Sequence, residues 1–510
     1  MTVTCTPKFI GLVMGTAVAL LAMSTPAPAA QLLSAAQTAA VQTTAGETTA
    51  GETAAGETAG GQSVRSLAYE IHGTCAVLKN GTVDCWGNNA FGQLGNGRDT
   101  SSDVPVAVTG LSGVTSVLGN PGSYCAVLGG GAVYCWGYNS GGYGNGVLGD
   151  GSSAASSNVP VRVRGLTGAV SLVSDRNGYG DNYGYCALLG SGRVKCWGSQ
   201  DALLGGGLTA SGLLGDGGQE TSSSVPVTVT GISTATGLES GQGGYCALLH
   251  SSAVECWGDN QYNELGDGHM GSLLGAAGAQ ESSGVPVPVK GLLNAVSVVS
   301  DWYGYCALLS NGKVRCWGNN SFGELGDGSK PNVAANYGSD VAVPVTGLAG
   351  VVRLAATDYG YCALLSDGNV KCWGSNSLDE LGDGMTGAAE SYSDVPKTVV
   401  GVGNAVRLAG SYSYAFCATL RSGLVKCWGD NGFGQLGADP TAESSDVAFT
   451  VSGLAGAASV GANGANAGWF CAVLSNGGAA CWGDNSYDQL GAGPIPVPSA
   501  GAVRVDKLGP

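Results

Sequence analysis

The chain has 510 residues, 90 of them Gly, and only 11% are charged, with 37 Asp and Glu against 21 Lys and Arg for a net charge of −16. That length holds several ordinary domains or one large repeat array, and a Gly-rich, charge-poor composition suits short strands and turns rather than long solvated helices. The acidic balance provides no cationic stripe for phosphates or anionic lipid, which sets nucleic-acid binding aside.

Residues 1–29 read as a secretory signal. Lys8 gives the positive start, Phe9 to Met23 is an apolar run of fifteen residues, and Ala27-Pro-Ala29 fits a small-residue cleavage site. The run is short for a bilayer span. Lys8 is the only charged residue of this segment, so its removal takes the net charge from −16 to −17. No other stretch reads as transmembrane, so the mature chain is expected to be secreted, soluble and without a membrane span. Residues 30–63 are low in complexity, with Thr-Thr-Ala-Gly-Glu at 43–47 and again at 48–52. They bury almost nothing apolar and are expected to be a disordered linker.

From residue 64 one pattern dominates. Cysteines fall in eight pairs, each ten positions apart: Cys75 and Cys85, Cys125 and Cys135, Cys186 and Cys196, Cys246 and Cys256, Cys306 and Cys316, Cys362 and Cys372, Cys417 and Cys427, Cys471 and Cys481. Every second cysteine is followed by Trp-Gly, at Trp86, Trp136, Trp197, Trp257, Trp317, Trp373, Trp428 and Trp482. The units run from 50 to 61 residues, a period that points to a propeller or solenoid.

The spacing fixes a hairpin register. In Cys306-Ala-Leu-Leu-Ser-Asn-Gly-Lys-Val-Arg-Cys316, a three-residue loop Ser310-Asn-Gly312 with a left-handed Gly sets Leu308 against Val314 and Cys306 opposite Cys316. The third loop residue is Gly in seven of eight units, with Ser252 the exception. Directly opposed residues lie within disulfide reach, so each hairpin is expected to carry its own staple, worth roughly 2–3 kcal/mol in the chain-entropy picture. Metal binding fits less well, because ligand pairs normally sit closer in sequence and the chain has only three His.

After each hairpin a Gly- and Asp-rich loop leads to Val-Pro-Val-x-Val or a near copy, as at Val225–Val229 and Val285–Val289. A Gly-Leu turn and a second apolar run such as Ala295–Val299 follow. Four short strands per unit form a propeller blade. The fold expected over 64–510 is therefore all-β: a single β-propeller of four-stranded antiparallel blades, with eight repeat units and a disulfide in each hairpin. Val64–Ala68 reads as a fourth strand lacking the rest of its unit, so that one blade would be completed from both termini. Ala502–Val505 resembles the same strand and would compete for that place.

The wording of the repeat is distinctive. Ser366-Asp-Gly-Asn-Val-Lys-Cys-Trp-Gly374, Trp317-Gly-Asn-Asn-Ser-Phe-Gly-Glu-Leu-Gly326, Phe91–Gly95 and Phe433–Gly437 resemble the regulator of chromosome condensation repeat. The resemblance covers residues 64–505 and implies a propeller, normally of seven blades; eight units here favour eight. Nuclear members of that family promote nucleotide exchange on a small GTPase at chromatin, partners that a secreted acidic chain does not meet, so no residue is assigned to exchange. The secreted bacterial branch, one resembling type of which inhibits β-lactamase through one face of the ring, suits this chain better.

No reaction is evident. His72, His250 and His269 stand apart in loops, and neither Gly-x-Ser-x-Gly nor His-Glu-x-x-His occurs. Glu-Leu-Gly-Asp-Gly recurs at 264–268, 324–328 and 380–384, and pairs such as Glu324 and Asp327 leave three readings: turn formation, calcium binding or a glycosidase pair. Recurrence at equivalent places favours the turn. The function expected is recognition of an unidentified extracellular or cell-envelope protein by a monomeric ring, with a structural envelope scaffold as the alternative and an enzyme behind it.

The binding face follows from strand alternation. If four strands run antiparallel, the long loop after Trp-Gly and the loop before the next cysteine share one face, while the tight turns share the other. The long loops swell at 138–158, 199–224 and 266–284. The loops before the cysteine are aromatic: Tyr183, Trp302, Tyr303, Tyr359, Tyr412, Tyr414 and Trp469, with Asp175, Asp301 and Asp358 close by. Tyr and Trp are enriched at binding hot spots, and the acids would favour a basic partner; the alternative is that these aromatics only cover a wide ring mouth. The aromatic immediately before each cysteine (Tyr124, Tyr185, Tyr245, Tyr305, Tyr361, Phe416 and Phe470) recurs and is expected to pack inside the blade.

Overall fold

Short runs of β-branched and small apolar residues, separated by turns that mostly carry Gly, become strands throughout the described chain. The computed structural model describes residues 63–508, apart from 142–143, 175–183, 200–201, 205–207, 211, 219–221, 272–279, 331–337, 439–440, 463–467 and 496–497. The signal expected over 1–29 and all but the last residue of the linker expected over 30–63 lie outside the described residues. Among the described residues no helix is long and apolar enough to cross a membrane.

Blade 5 shows the plan. Its inner strand Ala295–Ser300, second strand Gly304–Leu309, third strand Val314–Asn319 and outer strand Gly338–Pro344 pair antiparallel in chain order. Eight such sheets form over 64–107, 114–162, 169–228, 235–288, 295–344, 351–398, 405–450 and 457–504. The inner strands of successive blades pack on one another, and Val64–Glu70 packs against the second strand of the last blade, which closes a ring of eight. The swollen loops of blades 2 and 3 fold into short ribbons of their own, Ser140–Gly141 with Gly144–Asn145 and Ala202–Leu204 with Leu208–Ala210.

The hairpin register matches the sequence spacing. Leu308 pairs with Val314 and Cys306 with Cys316, and Gly312 adopts a φ of 72°. All eight cysteine pairs are bonded across their hairpins, with Cα atoms 4.0–4.1 Å apart. Ser252 takes the same left-handed turn at a φ of 64°.

Blades are joined by the indole of Cys-Trp-Gly. Each Trp is buried, and its Nε1–H donates to a backbone carbonyl in the long loop of the preceding blade, at 2.8–3.1 Å in all eight junctions. The acceptor precedes the Leu of Leu-Gly at every junction and is Gln or Glu except in blades 2 and 3, where Val147 and Leu213 hold that place. The Gly after Leu lets the indole approach: Gly326 has a φ of 62°, and a Cβ there would lie 2.8 Å from Trp373. Tyr or Phe before the first cysteine stacks on the Trp of its own blade at 5.6–6.0 Å, so those seven aromatics are packing residues.

The chain ends depart from expectation. Val64–Glu70 is the inner strand of blade 1, paired with Gly73–Leu78. Ser499–Arg504 is the outer strand of blade 8, with Val503 opposite Cys481 as Val343 is opposite Cys316. Neither terminus completes the other's sheet, and no competition arises. The ring closes as every other junction does, with Trp86 donating to Gln489 and Val64, Leu67 and Trp86 packed against Trp469, Leu490 and Val505.

Truncating one indole removes a fully buried aromatic and its hydrogen bond. Trp317→Ala is expected to lose about 3–5 kcal/mol, read as a lowered midpoint in chemical denaturation; an unchanged midpoint would deny the indole this role. Ser252→Gly relieves a left-handed Ser and is expected to gain about 1 kcal/mol, measured the same way.

Candidate binding face

The two faces of the ring sort by backbone hydrogen bonds. Ser310 N donates to Asn294 O and Val351 N to Gly312 O, which puts the tight hairpin turns beside the turns that enter the inner strands. On the other face, Asn319 N donates to Tyr303 O, Ser375 N to Tyr359 O and Asp430 N to Tyr414 O. The loop before each cysteine and the start of the long loop therefore share a face. Long loops also reach the next blade, as Gly268 N does to Asp340 O and Gly328 N to Asp394 O.

The aromatic candidates divide by burial. Tyr303, Tyr359 and Tyr414 are half-buried, whereas Trp302, Tyr412, Trp469, Asp301 and Asp358 are buried and form no part of an exposed surface. Tyr183 and Asp175 lie outside the described residues. Trp302 and Tyr412 turn inward because their backbones and polar atoms bind across the mouth of the ring: Trp302 N donates to Asp358 O in the next blade, and Tyr412 Oη donates to Ser300 O two blades away, both at 3.0 Å. Asp301 accepts from Tyr303 N through Oδ1 and so fixes the turn that presents Tyr303.

The three half-buried tyrosines form an arc over blades 5 to 7. Ring centroids of Tyr303 and Tyr359 lie 6.3 Å apart and those of Tyr359 and Tyr414 6.4 Å. Two further members come from the long loops: Tyr262 lies 4.1 Å from Tyr303, and Phe322 lies 5.1 Å from Tyr359. Their sequence signal is the aromatic two places before Gln or Glu in five of the eight long loops, as at Phe91, Phe433 and Tyr487, which are exposed. An equivalent contact joins Tyr487 to His72, whereas Phe91 meets Tyr138, the residue after Trp-Gly in blade 2. A groove of about 400 Å³ lies on the tight-turn face of blade 5, lined in part by Leu309, Asn311, Lys313, Arg315 and Pro344.

Beneath the arc sit carboxyls. The repeated Gln or Glu accepts from the backbone N–H two residues earlier, as Glu324 does from Phe322 at 2.6 Å and Gln435 from Phe433 at 2.8 Å. Its other atom meets the residue after Trp-Gly. Gln435 Nε2 donates to Asp430 at 2.5 Å, Gln489 Nε2 to Asp484 at 2.8 Å, and Asn319 Nδ2 donates to Glu324 at 2.8 Å. Blade 4 places Asp259 and Glu264 at these two positions, acceptor against acceptor, and Asp259 Oδ2 and Glu264 Oε1 have no hydrogen-bond partner among the described residues. Burial holds both carboxyls well above the usual range; the charge of Asp259 raises Glu264 further, and that of Glu281 raises Asp259. Burial likewise pushes Glu70 and Glu380 up to about 7.

The Asp of Glu-Leu-Gly-Asp-Gly has a separate task. Asp267, Asp327 and Asp383 each accept from the backbone N–H two residues on, at 2.8–3.0 Å. The Glu and the Asp of one motif thus serve different turns. No three of His, Cys, Asp and Glu converge as a metal-ligand set among the described residues. His269 pairs with Asp267 and His72 lies tilted against Tyr487, so these two histidines serve separate places.

Eight four-stranded sheets joined indole to loop define a β-propeller. The repeat is more specific: models of the regulator of chromosome condensation (RCC1) repeat match residues 80–119, 296–324 and 351–378, so the propeller carries repeats of the RCC1 type. Among solved structures, Prp20p from Saccharomyces cerevisiae is similar in fold, with a TM-score of 0.55 and 20% identity over 76% of this chain and 90% of that one. Human WBSCR16 gives a TM-score of 0.54 at 17% identity, over 75% of this chain and 98% of that one. In sequence, the E3 ubiquitin-protein ligase HERC2 of Homo sapiens is 28% identical over 260 residues, 50% of this chain but 5% of HERC2. The RCC1 domain-containing mitochondrial protein RUG3 of Arabidopsis thaliana is 35% identical over 141 residues, 27% of this chain and 29% of RUG3. The chain thus spans a small part of these curated relatives.

Acids whose affinity for protons rises on folding make the fold less stable as pH rises. Below about pH 4.5 folded and unfolded chains are equally protonated at these groups; the penalty then accumulates up to the folded value, about 7 for Glu70 and Glu380. The ring is expected to melt at a lower temperature at pH 8 than at pH 5. Glu264→Gln supplies the donor that Gln435 and Gln489 already provide. At pH 8 it is expected to add about 1–3 kcal/mol and at pH 5 much less, measured by thermal unfolding; equal effects at both pH values would refute the ionisation argument.

Proposed function

We propose that the chain is a secreted protein-binding propeller that recognises an extracellular or cell-envelope protein through the loop face carrying Tyr303, Tyr359 and Tyr414. The observation that carries this reading is the continuous arc of half-buried tyrosines, extended by Tyr262 and Phe322. Fixed aromatic rings that still face solvent bury much area on contact and lose little rotamer freedom. The net charge of −16 favours a basic partner and a salt-sensitive encounter. Prp20p, of similar fold, has been studied for its binding to Gsp1p and histones, which supports a binding role for such rings without naming a partner here. Catalysis is not part of this reading, since the two carboxyls of each repeated motif serve separate turns.

The test is the triple replacement of Tyr303, Tyr359 and Tyr414 by Ala, with the fold checked by circular dichroism. Capture of proteins from culture supernatant on the parent ring is expected to yield a partner that the triple variant binds at least tenfold more weakly. Unchanged capture, together with loss on changing residues of the tight-turn face, would move the site to the opposite side of the ring.

A further inference from the structure

The net charge of −16 conceals an uneven distribution of the two signs between the ends of the ring. On the tight-turn side, successive blades touch turn to turn. Val351 N donates to Gly312 O, Ser366 N to Gly350 O, Ala405 N to Gly368 O and Arg421 N to Asn404 O, all at 2.9–3.0 Å. The hairpin turns of blades 5, 6 and 7 and the turns that enter their inner strands thus form one continuous arc. Because the hairpins share one register, these turns end at one level.

Cations collect on this arc. Lys313 and Arg421 stand in hairpin turns, and Arg315, Lys371 and Lys426 precede the second cysteine, opposite the last residues of the outer strands. Blade 3 has Lys195 at that place, whereas blades 1, 2, 4 and 8 have Asp84, Tyr134, Glu255 and Ala480, so the hairpin itself does not require a cation. Among the described residues Asp367 is the one acid on the turns of the arc. The described ion pairs, His269 with Asp267 and Lys397 with Glu390, involve none of these cations. Acids of the same blades, such as Asp327, Asp340, Asp383 and Asp394, lie in the long loops or where the outer strands leave them, at the other end of the ring.

Apolar side chains share the arc. Leu293, at 74% the most exposed of the large apolar side chains described, stands in the turn that enters blade 5. The corresponding residues before blades 2 and 4 are Ser112 and Ser233. Val296, Val352, Val400 and Leu424 are exposed on the same strands and turns. Side chains this exposed contribute little to the core, and an apolar patch that reaches solvent among cations marks an interaction surface.

We propose that this arc docks the ring on an anionic lipid bilayer, with the tyrosine face turned away from the membrane. Lys and Arg spread over a level surface meet anionic headgroups, while aliphatic tips between them enter the boundary with the acyl chains. A row of turns at one height fits a plane rather than a single small ligand. The acids do not oppose the contact, because strands of six residues set the two ends about 20 Å apart, roughly two screening lengths at physiological salt.

Flotation of the full chain with vesicles tests the proposal. The vesicles contain equal parts of phosphatidylcholine and phosphatidylglycerol, and pure phosphatidylcholine controls for insertion of the apolar run at 9–23. The parent is expected to bind the mixed vesicles at least tenfold more tightly than the neutral ones, and less tightly as salt is added. Joint replacement Lys313→Gln, Lys371→Gln and Arg421→Gln is expected to abolish that preference. Leu293→Ser, which restores the residue of two other turns, is expected to weaken binding several-fold with its salt dependence unchanged. Circular dichroism confirms the fold of each variant, since other blades carry uncharged residues at these places. No preference for the anionic vesicles, a preference that the triple variant keeps, or unaltered binding by Leu293→Ser overturns the proposal. So does binding of polyglutamate without binding of vesicles, which assigns the arc to an acidic polypeptide instead.

Discussion

The ring depends on the docking of one indole per blade into the loop of the blade before it. That contact is both polar and apolar: the Nε1–H reaches a carbonyl, and the ring face needs a Gly whose Cβ would collide with it. Two separated stretches of one unit, Trp-Gly and Leu-Gly, therefore answer each other across a junction rather than within a blade. Their repetition lets the eighth junction, between Trp86 and Gln489, form by the same means as the other seven.

The disulfides act at a different level. Every one lies inside a single hairpin, so none fastens one blade to the next. The staples hold the second and third strands in register and thereby present Trp at the right height, while cohesion between blades remains non-covalent. Loops can then differ widely in length, as those of blades 2 and 3 do, provided that the Leu-Gly segment still returns to meet the next indole.

Much of this was legible in the residues. Ten-residue Cys spacing with Gly at the third loop position fixes the hairpin register, and recurrence of Trp-Gly fixes the repeat. The ends were not, because Val64–Ala68 and Ala502–Val505 are both short apolar runs; only their pairing distinguishes an inner strand from an outer one. Trp302, Tyr412 and Trp469 vary between units as recognition residues do, yet they are buried, since filling the mouth of a ring also needs large side chains that differ from blade to blade. The acceptor pair Asp259 and Glu264 escaped notice because each residue alone fits the repeat; the conflict exists only where the fold brings the two positions together.

Each blade is built from one uninterrupted stretch of chain, with no strand lent by a distant terminus. Gain or loss of one whole repeat would therefore leave every remaining sheet complete, and only the angle between neighbours would have to readjust. A gene of this kind can change its ring size by tandem duplication in single steps. The ring can also be opened at any junction between blades, since the one between blades 8 and 1 is held by the same indole contact as the other seven.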